Sequence, residues 1–332
     1  MIEYENGIHI KGTGLWLDAR RKADFCFVSH AHFDHAVRHT EILATKETAR
    51  LCEHRFGKAK FNILEYNCPK KLKGVRVELF PSGHTLGGAQ ILMEKGGTRI
   101  VYTGDFKLRK SLTAKKAEIK RCDILIMEST FGLPRYVFPP LREVEARMTE
   151  FVKKTQANGK VPIFLAYSLG KAQEAMKILS NRGYKLSVHA MIYKIAKIYE
   201  EFGVKLANYE LYQGGSMDGR VLIAPPQAKR SRMIENISRK RIAILTGWAL
   251  DAGANNHVRG DEAIPLSDHA DFSELIQYVK KAQPKKIYTV HGFADFARFL
   301  RERGFNAETL KESTKVKKTF NKELLVNYDL FA

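Results

Sequence analysis

The stretch DFCFVSHAHFDHA, residues 24–36, runs an apolar segment straight into four metal-ligand side chains. Its first half, with Phe25, Phe27 and Val28, reads as a buried strand; its second half places His30, His32, Asp34 and His35 within six residues. Imidazoles and carboxylates are the ligands of catalytic zinc, and a loop at the end of a strand aims several of them at one point. A cluster of surface histidines is the plain alternative. Recurrence weighs against it: His84 follows VELFPSG, Asp105 follows IVYTG and His291 follows IYTV, each at the end of a strand-like run. Ligand types at successive strand ends predict a dinuclear metal site.

Outward from this segment, the chain to about residue 132 is a series of short apolar runs, GLWLD, VRVELFPSG, AQILMEKGGTRIVYTGD and DILIME, that read as strands feeding functional loops. One helix is expected among them, over about 36–52, where AVRHTEILATKETARLC has apolar residues at helical spacing. From about 133 to 266 helices and strands alternate: REVEARMTEFVKK, VPIFLAY, SLGKAQEAMKILSNRG, LSV, HAMIYKIAKIYEEFG, RVLIAP, a basic helix over AKRSRMIENISRKR, and RIAILTG. Ser168 is a candidate cap for one of these helices and Gly183 a candidate stop. Such alternation argues for a parallel, doubly wound sheet. From about 267 the chain returns to helix, the strand KKIYTV and a helix over ADFARFLRERG. The order predicts one domain at 133–266 inserted into another made of 1–132 and 267–332. The tail from Lys311 reads as a last strand or a docking element.

The composition narrows the function classes. Fifty-six Lys and Arg against thirty-six Asp and Glu give a net charge of +20 on 332 residues, of which 44% are hydrophobic. Such a chain buries a sizeable core and favours an acidic partner, and it is neither disordered nor a coiled coil throughout. No run approaches the roughly 20 apolar residues of a membrane span. A soluble, cytoplasmic protein with no membrane partner is expected. The four cysteines form no CxxC pair, so they are read as reduced.

HxHxDH followed by a distant GH, a GD and a late His resembles the metallo-β-lactamase fold, and Asp18 in LWLDAR matches that fold's first Asp. ILIMESTFG, FLAYSLGKAQEAM and PLSDHADFSEL followed by IYTVHGF are similar to the β-CASP nucleases of that superfamily, in particular to compact prokaryotic exonucleases described as DNA-ligase-associated. This resemblance implies an αβ/βα sandwich with an inserted parallel, doubly wound α/β (β-CASP) domain. It also implies that His30, His32 and His84 hold one divalent metal ion and Asp34, His35 and His291 the other, with Asp105 bridging and Asp18 orienting ligands from behind. Zinc is favoured by the His-rich set, with manganese an alternative. By the same resemblance Glu128 and His269 match family motifs A and B. The chemistry then makes His269 the general acid and Glu128 its partner. Ser267 is a weaker candidate for a phosphate contact, or a cap for the helix DFSELIQYVKK or for the turn before it.

Two ions close together activate water at neutral pH and neutralise phosphodiester oxygens. A 5'-acting single-strand DNA exonuclease of DNA processing is the leading expectation, and an RNA exonuclease or endonuclease the alternative. His291 is the residue found in RNA-processing members, whereas Phe293 departs from the Gly-Glu that usually follows it. The charge clusters in FKLRKSLTAKK (Lys107, Arg109, Lys110, Lys115, Lys116) and AKRSRMIENISRKR (Lys229, Arg230, Arg232, Arg239, Lys240, Arg241), which read as phosphate-guiding runs. A small-molecule hydrolase and a non-catalytic nucleic-acid-binding subunit remain as other classes.

Overall fold

The computed structural model describes residues 2–217, 219–251 and 260–311. The chain divides after Val137 and after Asp268 into two compact units, one from the two outer segments and one from the segment between.

The outer unit holds two mixed six- and seven-stranded sheets. In the first, β1 (Ile2–Tyr4), β2 (Ile8–Ile10), β3 (Leu15–Leu17), β4 (Phe25–Phe27), β5 (Glu41–Ala44) and β6 (Phe61–Ile63) lie in chain order. In the second, β7 (Lys70–Leu72), β8 (Val75–Pro81), β9 (Ala89–Lys95), β10 (Thr98–Tyr102), β11 (Ile124–Ser129), β18 (Lys286–Gly292) and β19 (Ala307–Thr309) lie in the order β19-β18-β11-β10-β9-β8-β7.

Side-chain alternation along these strands builds the layers, because successive residues face opposite sides of a sheet. Phe25 and Phe27, Ile91 and Met93, Ile100 and Tyr102, and Ile126 fill one core between the two sheets. Leu92, Val101, Leu125 and Met127 face the other way. There they meet Leu275, Tyr278 and Val279 of α6 (Phe272–Ala282) and Phe296 and Leu300 of α7 (Asp295–Arg301). On the first sheet's side, α1 (Lys46–Phe56) buries Ala49, Leu51 and Cys52, none of which joins the core between the sheets. The result is the αβ/βα sandwich expected.

The helix expected over 36–52 is corrected by this arrangement. Residues 41–44 form β5, paired in parallel with β4 and β6, and the helix begins only at Lys46. Parallel pairing on both edges of EILA outweighs the helical spacing of the surrounding sequence, because the tertiary ladder decides a short apolar run that periodicity alone leaves ambiguous. Thr45 then starts α1 by accepting the Thr48 N–H at 3.2 Å.

In the middle unit, β12 (Val161–Leu165), β13 (Leu186–Val188), β14 (Tyr209–Leu211), β15 (Val221–Ala224), β16 (Lys240–Leu245) and β17 (Glu262–Ile264) form an all-parallel sheet in the order β14-β13-β15-β12-β16-β17. This is the parallel α/β insert expected. Its helices are α2 (Leu141–Ala157), α3 (Lys171–Asn181), α4 (Ala190–Glu201) and the single turn α5 (Arg232–Glu235). α2 buries Val144, Met148, Phe151, Val152 and Thr155, one stripe at helical period.

Three local expectations are corrected. Gly170, not Ser168, precedes α3, and its N–H donates to the Gln173 side chain at 2.8 Å, while Gly183 does follow the helix end with φ +83°. The basic segment is a 3-10 turn, Pro226–Arg230, plus the one turn of α5 rather than a long helix. Lys240 and Arg241 are drawn into β16 by pairing with β12. Asp271, not Ser267, caps α6, through a capping box with Glu274. The tail expected to supply a last strand lies beyond Lys311, outside the described residues.

Candidate metal centre

The second sheet gathers ligand-type residues by strand direction. β8 and β10 each run antiparallel to β9, and β10, β11 and β18 run parallel to one another, so β8, β10, β11 and β18 all end at one edge. His84 lies just after β8, Asp105 just after β10, and Glu128 and His291 near the ends of β11 and β18. The first sheet contributes the loop after β4. Arg55 of α1 holds that loop's shape by donating to the carbonyls of Ala31, at 2.8 Å, and Ala36.

Two glycines let these loops approach. A Cβ on Gly104 would sit 2.6 Å from the Ser29 side chain, so only glycine permits the Asp105 loop to lie on the His30 loop. On Gly292 it would sit 2.0 Å from the Ser129 carbonyl oxygen, where the β11–β18 register shifts. The neighbouring His291 takes φ +47°, a left-handed conformation that costs on the order of 1–3 kcal/mol and is typical of functional positions.

One ligand atom from each of His30, His32, His84 and Asp105 lies within 4.8 Å of all the others, and the same holds for Asp105, Glu128 and His269. Asp105 Oδ2 is the common point: it is 3.5 Å from His30 Nε2, 3.3 Å from His35 Nε2, 3.7 Å from His84 Nε2 and 3.9 Å from His269 Nδ1. His35 Nε2 is also 3.5 Å from Asp34 Oδ2, and the His35 and His291 rings lie 5.2 Å apart. The structure thus brings His30, His32, His84 and Asp105 into one tight cluster and sets His35, Asp34 and His291 beside it. Asp34, with a side chain 52% exposed, is the outermost.

These residues fit divalent ions. His30 Nε2 is buried with no hydrogen-bond partner. Asp105 approaches three imidazoles at 3.3–3.7 Å, long for hydrogen bonds. Two ligands sharing one ion at bonds of about 2.1 Å lie about 3.4 Å apart in a tetrahedron. The rings are also held from behind. Asp18 receives the Ser29 N–H at 2.7 Å, the Ser29 hydroxyl at 2.6 Å and the Tyr102 hydroxyl at 2.8 Å, and pairs with His35 Nδ1 at 2.8 Å. Ser29 Oγ in turn lies 2.9 Å from His30 Nδ1. Both Nε2 atoms are thereby aimed at Asp105, the usual way ligand histidines are oriented.

The electrostatics match. Burial, with His35, His84 and His32 adding to it, holds His30 well below the usual imidazole range. For Asp105 burial opposes the charge, but His35, His269 and His30 outweigh it and keep the carboxyl well below its ordinary range. Burial and its neighbours His35 and Arg20 push His291 down to about 4. His30 and His291 are thus held neutral and Asp105 charged, the states that bind metal. At His35 burial opposes the charge, but Asp105, Asp34 and Asp18 outweigh it and hold the ring well above the usual imidazole range, so a metal there takes the place of a proton.

Beside it, Glu128 accepts the Phe106 N–H at 2.8 Å and the Thr130 hydroxyl at 2.6 Å, and meets His269 Nδ1 at 3.0 Å. Burial raises the Glu128 carboxyl, Asp105 adds to this, and His269 opposes it. Ser267 is buried in the middle unit, which ends at Asp268. Ser29, Tyr102, Thr130 and Arg55 were missed from sequence, although Ser29 lies inside the His motif and Thr130 inside ILIMESTFG.

The basic runs change meaning. Arg109 pairs with Asp271 at 2.9 Å and Glu274 at 2.8 Å and donates to the His269 carbonyl at 2.9 Å, so it braces the His269 segment. Lys115 lies over the Tyr66 ring, Lys240 donates to the carbonyls of Glu235 and Ile237, and Arg241 covers Phe151. Much of both runs serves the fold.

Known proteins are similar to this chain in sequence. Residues 257–315 match the family model of the Zn-dependent metallo-hydrolase RNA specificity domain. A "Probable DNA ligase" of Opitutus terrae is 38% identical over 319 residues, covering 95% of this chain and 31% of that protein. An "RNase J-like protein" of Methanocaldococcus jannaschii is 28% identical over 82% of each chain. The chain belongs to the β-CASP branch of the metallo-β-lactamase superfamily. A "DNA cross-link repair 1A protein" of Gallus gallus is 27% identical over 89% of this β-CASP chain and 34% of its own length. This β-CASP protein thus spans about a third of the DNA ligase relative it matches.

In this β-CASP chain Asp18 holds two ligand-type imidazoles at once, one directly and one through Ser29. Asp18→Ala is expected to weaken metal binding about 10- to 100-fold. Competition for zinc against a calibrated chelator measures this, and unchanged affinity would show that the rings orient themselves.

Proposed function

We propose that this protein is a metal-dependent nuclease, a 5'-acting exonuclease on single-stranded DNA. The observation that carries the reading is the arrangement around Asp105: a buried His cluster on one side and the Glu128–His269 pair on the other. His30, His32 and His84 would hold one divalent ion and Asp34, His35 and His291 a second, with Asp105 between them; zinc suits the imidazoles and manganese the carboxylates. Such ions supply an activated water and neutralise phosphodiester oxygens. The chain's own residues do the rest. Glu128, fixed by Phe106 and Thr130, grips Nδ1 of His269 and leaves Nε2 to carry a proton to the leaving oxygen. Asp18 and Ser29 keep His35 and His30 from turning.

The DNA assignment is supported by the likeness to a "Probable DNA ligase" over 95% of this chain. RNA is the second reading, favoured by the RNA specificity domain match over 257–315 and by the likeness to an RNase J-like protein. Oligonucleotides of one sequence, as DNA and as RNA, labelled at either end, separate the two. DNA is expected to shorten progressively from its 5' end, at least about tenfold faster than RNA, on the scale of discrimination a lost polar contact allows. Degradation of RNA alone overturns the DNA assignment, and internal fragments overturn the exonuclease mode.

A further inference from the structure

We infer that Arg20, with Arg21 and Lys22 beside it, forms a phosphate-binding lip at the metal centre; the inference rests on the nuclease reading for its substrate class. Residues 20–22 lie in the loop between β3 and β4, which starts at Asp18, itself in a left-handed conformation with φ +43°. That start is rigid. The Asp18 carboxylate is tied to Ser29, Tyr102 and His35, and the Arg20 N–H donates to the Asn6 carbonyl at 2.6 Å. The Arg20 side chain therefore leaves the backbone from a fixed point, and its guanidinium lies 3.4 Å from His291 Nδ1, at the edge where the ligand-type residues gather.

Three observations make this a binding surface rather than a structural brace. Arg20, Arg21 and Lys22 are all exposed. Among the described residues none of the three pairs with a carboxylate, whereas Arg109, chosen from sequence for the same task, is tied to Asp271 and Glu274. The guanidinium's contact with His291 is long and weak, so an anion displaces it at little cost. A guanidinium's parallel N–H groups match two oxygens of a phosphate, and three adjacent cations offset the repulsion that Asp34 and Asp105 exert on an approaching phosphodiester.

The test uses a decathymidylate with phosphorothioate linkages, which resists cleavage, carrying a 3' fluorophore and either a 5'-phosphate or a 5'-hydroxyl. Anisotropy titrations are run on the zinc-loaded full chain, its Arg20→Ala and Arg20→Lys variants, and the Arg21→Ala/Lys22→Ala double variant. Arg20→Ala is expected to raise Kd about 10- to 100-fold, the range of a charge-assisted pair, with bound zinc unchanged by metal analysis, and Arg20→Lys to recover part of the loss. The double variant is expected to lower the dependence of Kd on salt. Equal Kd for Arg20→Ala and the parent overturns the inference, as does failure of the parent to bind either oligonucleotide. Loss of zinc in Arg20→Ala also overturns it, since Arg20 would then be holding His291. If the parent binds through Arg20 yet cleaves neither DNA nor RNA, the nuclease reading fails and the phosphate lip stands.

Discussion

Asp105→Asn is expected to abolish hydrolysis, by at least about 10,000-fold, and to strip metal from the centre. The substitution keeps the side chain's shape, so no cavity forms and the loop after β10 retains its path. It removes one charge at the point where four imidazole nitrogens converge, at 3.3–3.9 Å. Asp105 stays ionised against its own burial because His35, His269 and His30 surround it. A neutral amide leaves those rings without a counter-charge and offers an NH₂ group where a ligand oxygen stood. Losing several kcal/mol of charge stabilisation in the transition state corresponds to a loss of about four powers of ten. Metal analysis of the purified variant, alongside circular dichroism to show an intact fold, separates the causes. Full metal content with undiminished cleavage would remove Asp105 from the chemistry.

What the sequence showed of this centre follows from how local each feature is. His30, His32, Asp34 and His35 sit in one loop, and His84, Asp105 and His291 each end a strand, so side-chain type and strand pattern mark them together. The strands themselves were legible wherever both faces are apolar, as in β9 and β11, because a continuous apolar run needs no partner to be recognised. β5 was misread because its identity lies in its neighbours β4 and β6, not in EILA. Arg109 was misassigned for a similar reason: its carboxylate partners, Asp271 and Glu274, lie more than 160 residues away. Tyr102 reads as a core aromatic and is one, yet its hydroxyl reaches Asp18 from the opposite sheet. Arg20 carried no motif, and only the fold shows it beside His291. Three histidines outside these motifs serve the fold instead: His9 stacks on Trp16, His39 accepts the Ala23 N–H, and His189 caps α4.

His269→Ala is expected to keep the metal and to slow turnover about 100- to 10,000-fold, the range of a lost general acid. The backbone around His269 is held independently of its ring. Arg109 binds the His269 carbonyl, and the Ala270 N–H donates to Phe106 at 2.6 Å, so truncation leaves the segment in place. The ring is aimed by Glu128, whose other contacts are a backbone N–H and the Thr130 hydroxyl, and Glu128→Gln should therefore reproduce part of the loss while leaving substrate Kd unchanged. A competing assignment exists within the same geometry, because Asp105, Glu128 and His269 also lie close enough together to share an ion. The two differ in what removal of the ring does. A proton donor lost from His269→Ala leaves bound metal at the parental level and lets added imidazole restore some activity. A ligand lost from the same position depletes metal, and added zinc rather than imidazole restores the rate. The 3.0 Å contact between His269 Nδ1 and Glu128 favours the first, since that nitrogen is engaged by a carboxylate that two other donors already hold.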